Sequence, residues 1–159
     1  MLLRPTSGRL RETLFNVLGD SVRGARFVDC YAGSGAVGLE ALSRGAASAV
    51  FVEQSKAALR VLHENIRALG VGARTTVIES PVDRALRRMD PAATDIVFLD
   101  PPYAAAEEYA ASLEALHDFT ALIVAEHASR TEIAAPWALE RVRLLKQGDS
   151  ALSFFRRIA

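Results

Sequence analysis

Cysteine is nearly absent from this 159-residue chain. The one present, Cys30, lies inside an apolar segment, which excludes a disulfide framework and a cysteine-rich zinc site and suits a reducing compartment. No metal is expected. Long apolar runs are missing too: none reaches the roughly eighteen residues that a membrane-spanning helix needs. The opening MLLRPTSGRL is too short and too interrupted by Arg and Pro to read as a secretory leader. The expectation is a soluble, cytoplasmic protein with no membrane partner. Net charge is the third absence. Nineteen Lys and Arg balance nineteen Asp and Glu, so no global attraction to polyanions exists, although a local footprint is still open. No internal repeat, low-complexity stretch or linker divides the chain. One domain over residues 1–159 is expected, with residues 1–20 as a helical segment packed on it.

What the sequence does contain is an alternation of short apolar runs and amphipathic stretches. Leu10, Leu14, Val17 and Leu18 recur at helical spacing between a capping Ser7 and a terminating Gly19. Residues 27–31 read as a strand, 36–43 as a helix and 49–52 as a second strand. Residues 55–69 read as a helix with Leu59, Leu62, Ile66 and Leu69 on one face and Gly70 as its stop. Strands follow at 75–78, 95–99 and 121–125, separated by helices at 82–89 and 105–116. The strand runs are continuously apolar, as in parallel strands covered on both faces. Toward the carboxyl end, 139–145 and 152–155 flank Gly148-Asp149 as a hairpin. The fold expected is α/β: a doubly wound, mostly parallel sheet with an antiparallel strand pair at its carboxyl end.

The stretch Asp29 to Glu40, DCYAGSGAVGLE, carries GSGAVG, a GxGxxG pattern at a strand-to-helix turn. In a doubly wound sheet, ligands sit beyond the carboxyl ends of strands, where glycines admit the ligand and the next helix offers free N–H groups. A tight turn without a ligand would use the same residues. Glu53, directly after the second strand, suits the ribose hydroxyls of either NAD or another adenosine-bearing cofactor. Asp29 separates the two, because a carboxylate four residues before the first glycine repels pyrophosphate and attracts an ammonium group. That favours S-adenosylmethionine. Capping of the following loop is the alternative role for Asp29, and an ordinary solvated position the alternative for Glu53.

Asp100-Pro101-Pro102-Tyr103, at the end of the fourth strand, is the more specific motif. Two consecutive prolines hold the backbone extended, remove its N–H donors and leave its carbonyls free as acceptors. Asp100 and the Pro101 carbonyl could receive the two N–H groups of an exocyclic base amine and aim its lone pair at a methyl group, with Tyr103 stacked on the base. A carboxylate there also stabilises the positive charge that methylation leaves on nitrogen. The simpler alternative is a rigid turn that closes a strand.

Taken together, Arg4-Pro5-Thr6, Arg11 to Asn16, the loop 32–38 continuing into GLEALSRGA, Phe51-Val52-Glu53 and Asp100 to Tyr103 resemble, almost end to end, the RsmD-type small-subunit ribosomal RNA guanine-N2 methyltransferases. The resemblance implies a Rossmann-like, class I S-adenosylmethionine-dependent methyltransferase acting on the exocyclic amine of one guanine in 16S ribosomal RNA within an assembling small subunit. It places Asp29, Gly33, Ser34 and Gly35 around the methionine part of the cofactor and Glu53 at its ribose, with Tyr31, Gln54 and Asp100 also expected at the cofactor. At Ile78-Glu79-Ser80-Pro81, where many methyltransferases set an acidic or amide side chain near the adenine amine, this chain departs from the pattern and Ser80 is the candidate contact. Asp100, Pro101, Pro102 and Tyr103 form the reaction centre. Arg4-Pro5-Thr6 and residues 11–15 would close over the cofactor or target, though surface pairing explains Arg11 and Glu12 equally well. Family members usually carry a basic, glycine-containing hairpin arm ahead of Arg-Pro-Thr, a segment suited to neutralising RNA phosphates.

Three rival readings are set against this one: an adenine-N6 DNA methyltransferase, which also uses Asp-Pro-Pro-Tyr, an NAD-dependent oxidoreductase, and a non-catalytic RNA-binding protein. Basic clusters at Arg84, Arg87 and Arg88, at Arg141, Arg143 and Lys146, and at Arg156 and Arg157 read first as solvated faces. Glu126 and His127 should lie at the ligand edge in a loop role, His63 and His117 in helices, and Trp137 in the core or against RNA.

Overall fold

Apolar runs too short for helices, rich in Val, Ile and Phe, become the buried centre of a sheet. The computed structural model describes residues 8–102 and 106–159. Strands β1 (Arg26–Cys30), β2 (Ser48–Glu53), β3 (Thr75–Glu79), β4 (Ile96–Leu99) and β5 (Leu122–Ala128) run parallel. β6 (Leu139–Gln147) and β7 (Ser150–Arg157) form the hairpin, and β7 also pairs antiparallel with β5. The strand order is β3-β2-β1-β4-β5-β7-β6. The order reverses between β1 and β4, so the crevice at a doubly wound sheet's switch point opens beyond Cys30 and Leu99, which are register partners.

Helices α1 (Gly8–Leu18), α2 (Ala36–Ser43) and α3 (Lys56–Leu69) cover one face. Their Leu10, Phe15, Leu42 and Leu62 pack with Phe27, Phe51 and Phe154. Helices α4 (Val82–Arg87) and α5 (Ala106–Ala115) cover the other, where Leu86 and Leu113 meet Val28, Val97, Leu99 and Phe155. Adjacent residues Phe27 and Val28 thus enter opposite cores. This double burial is why β1 shows no polar alternation.

Some local expectations give way. Ser7, the expected cap of α1, lies outside the described residues, and Gly19 opens a short 3-10 turn (Gly19–Val22) rather than a simple stop. Leu69 is 60% exposed. Seven residues beyond the fully buried Leu62 it lies only about 20° from it on the same stripe, but at the last residue of the helix, where the stripe outruns the body it packs on. Tyr31 falls just past β1, at φ 57°, where a left-handed backbone ends the strand. Ser55 stands just before α3 and caps it, its side chain accepting the N–H of Ala58 at 3.3 Å, and Gly70 closes the helix as expected, in a left-handed conformation.

Candidate active site

Two glycines of the GSGAVG loop are fixed by packing against β2. Gly35 has φ 86°, and a Cβ there would run into Leu62 and press on the Phe51 ring. A Cβ on Gly38 would fall on the same ring and lie 3.2 Å from the Asp29 Cβ. Close approach of α2 to β1 and β2 therefore requires both. Gly38 is a position the sequence reading did not single out as functional. Its N–H donates to Asp29 Oδ2 at 2.9 Å, so Asp29 takes the loop-capping role named as its alternative.

That carboxyl is 2% exposed. Burial, opposed by the Gly38 hydrogen bond and reinforced by the charges of Asp100 and Glu53, pushes its pKa up to about 8. Glu53 and Asp100 thus lie near a buried Asp29 carboxyl at the ends of β1, β2 and β4, and it is burial, together with their negative charge, that keeps Asp29 protonated up to about pH 8. Among the described residues, no cluster of His, Cys, Asp and Glu could hold a metal ion.

Glu53 is not merely solvated. Its Oε1 accepts the Gly33 N–H at 2.8 Å, tying the glycine loop to β2. Oε2 accepts the N–H groups of Gln54 at 3.0 Å and Ser55 at 2.8 Å. An ionised carboxylate offers about four lone-pair sites. One site, on Oε1, is left for a ligand hydroxyl. Ser34 is held through its carbonyl, which accepts from the Asn65 side-chain amide at 3.0 Å. Ser80 turns its hydroxyl to the Pro81 carbonyl at 2.9 Å, and its N–H donates to the Glu53 carbonyl at 3.2 Å. The backbone at the end of β3 therefore stands beside Glu53.

The Tyr31 side chain reaches toward α5. Its hydroxyl donates to Glu108 Oε2 at 2.9 Å and accepts from Ser112 Oγ at 2.8 Å, and burial pushes its pKa up. A strap thereby runs from the glycine loop to the first turns of α5, the helix that follows Asp100-Pro101-Pro102. Asp100 and Pro101 are buried while Pro102 is exposed. Tyr103, like Arg4-Pro5-Thr6, lies outside the described residues. The structure brings together Asp29, Tyr31, Gly33, Ser34, Gly35 and Asp100 around the ends of the adjacent strands β1 and β4, with Glu53, Gln54 and Ser80 at the neighbouring ends of β2 and β3. His127 is buried within β5 rather than placed in a loop, and Trp137 is 84% exposed, hence outside the core.

The family described as Conserved hypothetical protein 95 matches residues 1–156. The chain belongs to it. Within the Conserved hypothetical protein 95 family, the chain is 44% identical over 101 residues to the ribosomal RNA small subunit methyltransferase D of Escherichia coli strain K12. That match covers 64% of this chain and spans only 50% of that relative's length. The solved structure of yhhF, described as a methyltransferase from Escherichia coli, aligns with a TM-score of 0.82 at 34% identity, covering 97% of this chain and 88% of that one. An RNA methyltransferase from Salinibacter ruber, solved in complex with S-adenosyl-L-homocysteine, aligns over 97% of this chain and 94% of its own with a TM-score of 0.75 at 13% identity. This last likeness shows the fold alone. The fold is that of class I S-adenosylmethionine-dependent methyltransferases, and the RsmD-type resemblance read from the sequence is correct at the level of the family.

Proposed function

We propose that this chain uses S-adenosylmethionine to methylate the exocyclic N2 amine of a guanine in small-subunit ribosomal RNA. The observation that carries the reading is the placement of Asp100-Pro101-Pro102 one strand away from a glycine loop built over a buried carboxylate, Asp29. A site for a pyrophosphate would not set Glu53 and Asp100 at the strand ends around a buried carboxyl, Asp29. A ligand with an ammonium and a sulfonium matches them, and the free lone pair on Glu53 suits one ribose hydroxyl. The relative named above as a ribosomal RNA methyltransferase supports RNA as the substrate class.

S-adenosylmethionine would supply an electrophilic methyl on sulfur. The protein's part is orientation. Asp100 and the Pro101 carbonyl accept the two N–H groups of the amine, so that its lone pair points along the axis on which the new N–C bond forms as the C–S bond breaks toward sulfur. Asp100 then faces the positive nitrogen, lowering the barrier electrostatically, and after the methyl has transferred the N–H proton passes through the Asp100 carboxylate to solvent. The Tyr31 strap to Glu108 and Ser112 holds the first turns of α5 against the loop after β1.

The test is transfer of labelled methyl from S-adenosylmethionine to partly assembled small subunits that lack the modification, followed by nucleoside analysis. N2-methylguanine formed by the native chain is expected. Asp100→Asn should lower transfer by at least about a hundredfold, well beyond the weakening of S-adenosylhomocysteine binding that loss of one nearby charge brings. Label on adenine would move the assignment to the N6 amine, and micromolar NAD binding without S-adenosylmethionine binding would overturn methyl transfer.

A further inference from the structure

The edge strand β6 contains an irregularity that regroups its side chains. Its pairing with β7 shifts between Arg141, opposite Phe155, and Arg143, opposite Phe154, which leaves Val142 as the extra residue of a bulge. In a regular strand, Arg141 and Lys146, five residues apart, would point to opposite faces. With the bulge their partners are Phe155 and Ala151. These are four apart, so Arg141 and Lys146 share a face. Leu144, opposite Ser153, shares it as well and is 40% exposed.

This is the face covered elsewhere by α5, since Phe155 packs with Leu113 and Leu116. Arg141 Nη1 lies 3.5 Å from Ser153 Oγ, which is 2.7 Å from His127 Nε2. Burial first, with the charges of Arg141 and Lys146 behind it, holds His127 below its ordinary pKa against the Ala128 carbonyl and the Glu132 charge, which act to raise it. Among the described residues no carboxylate forms an ion pair with Arg141 or Lys146. On a chain with zero net charge, two cations left without carboxylate partners and aligned on one face form a local positive stripe. The stripe leads to the reaction edge. Ser150 pairs with both Ala128 and Gln147, so the hairpin turn stands at the same sheet edge as the reaction loop, and β6 lies three strand spacings, about 14 Å, from β4.

We propose that Arg141, Leu144 and Lys146 form a docking face for the single-stranded RNA flanking the base held at Asp100, the two cations on phosphates and Leu144 against a sugar or base. This inference rests on the RNA-methyltransferase reading and extends it to a surface outside the reaction centre. The occupant is a polyanion because the stripe is cationic, lies at the reaction edge and carries an apolar residue between its charges.

The experiment compares the native chain, R141Q/K146Q, and a control with two cations removed from α4, R84Q/R87Q. The probe is a small-subunit ribosomal RNA fragment titrated between about 50 and 200 mM salt. Loss of two phosphate contacts should reduce the slope of log affinity against log salt by about 1.4 and weaken binding on the order of tenfold at the lower salt. The KM for RNA should rise in parallel, with the KM for S-adenosylmethionine and the melting temperature unchanged. An unchanged slope and RNA affinity in R141Q/K146Q, with methyl transfer by the native chain intact, would overturn the docking face and spare the methyltransferase reading. An equal loss in R84Q/R87Q would mean diffuse attraction and also overturn it. If R141Q/K146Q lost activity on assembled subunits while keeping its affinity for the bare RNA, a protein component would be the occupant and the RNA assignment would fall. Native protein that methylates no RNA would defeat the parent reading, and the docking face with it.

Discussion

At the scale of the residue, Asp29 carries the clearest pH signature. Its folded pKa, about 8, lies above the unfolded value near 4. Between these values the folded state binds more protons than the unfolded one. Asp29 therefore contributes stability that is fully present below pH 4 and is lost as pH rises toward 8, by up to about 1.4 kcal/mol per unit. Asp29→Asn should flatten that limb in chemical unfolding followed from pH 5 to 9. The same group makes cofactor binding pH-dependent in the opposite sense. A cationic ligand prefers the ionised carboxylate, so S-adenosylhomocysteine affinity measured by calorimetry should rise from pH 6 to 8 with proton release, and the variant should show neither effect.

Gly38 tests sterics rather than charge. Its Cβ would enter the Phe51 ring and crowd Asp29, so Gly38→Ala should destabilise by about 1–3 kcal/mol. Adding Phe51→Leu should return part of that loss, because the obstacle is a side chain. No recovery in urea unfolding would mean that the glycine is required by the backbone.

Among the elements, the coupling of greatest consequence is between the loop after β1 and the start of α5. Tyr31 holds both Glu108 and Ser112 through one hydroxyl, and each such bond contributes about 1 kcal/mol. Tyr31→Phe keeps the ring and removes the strap. Amide exchange in residues 106–112 should accelerate by about tenfold, with exchange in β1 and β4 unchanged. Equal protection in the variant would show that α5 is held by its core contacts, such as Leu113, without the strap. The cap of α3 is simpler. Ser55→Ala removes the acceptor for the Ala58 N–H and should cost about 1 kcal/mol in thermal unfolding, read as a lower melting temperature.

Across the whole molecule, the sheet was legible because both of its faces are buried. Continuous runs such as Ile96–Leu99 and glycine stops such as Gly70 declare themselves in one dimension, since each depends on local chemistry. The motifs that announce the site, GSGAVG and Asp100-Pro101-Pro102, were equally visible, for they fix backbone conformation and donor supply within a few residues. The hidden features are those that depend on distant partners. Glu53 reads as a strand-end carboxylate until Gly33, twenty residues away, donates to it. The partners of the Tyr31 hydroxyl, Glu108 and Ser112, stay hidden until α5 arrives beside it. Leu69 fits a helical stripe whose end passes beyond the body it packs on.

The sequence by itself determined the alternation of strands and helices and the residue types at the carboxyl ends of the strands, because periodicity, glycine and proline act over short stretches. Only the tertiary structure decided which carboxylate is buried, which lone pairs are spent, and that Arg141 and Lys146 share a face. Those outcomes follow from desolvation, from backbone donors supplied by other elements, and from one extra residue at Val142 that reverses the alternation of an edge strand.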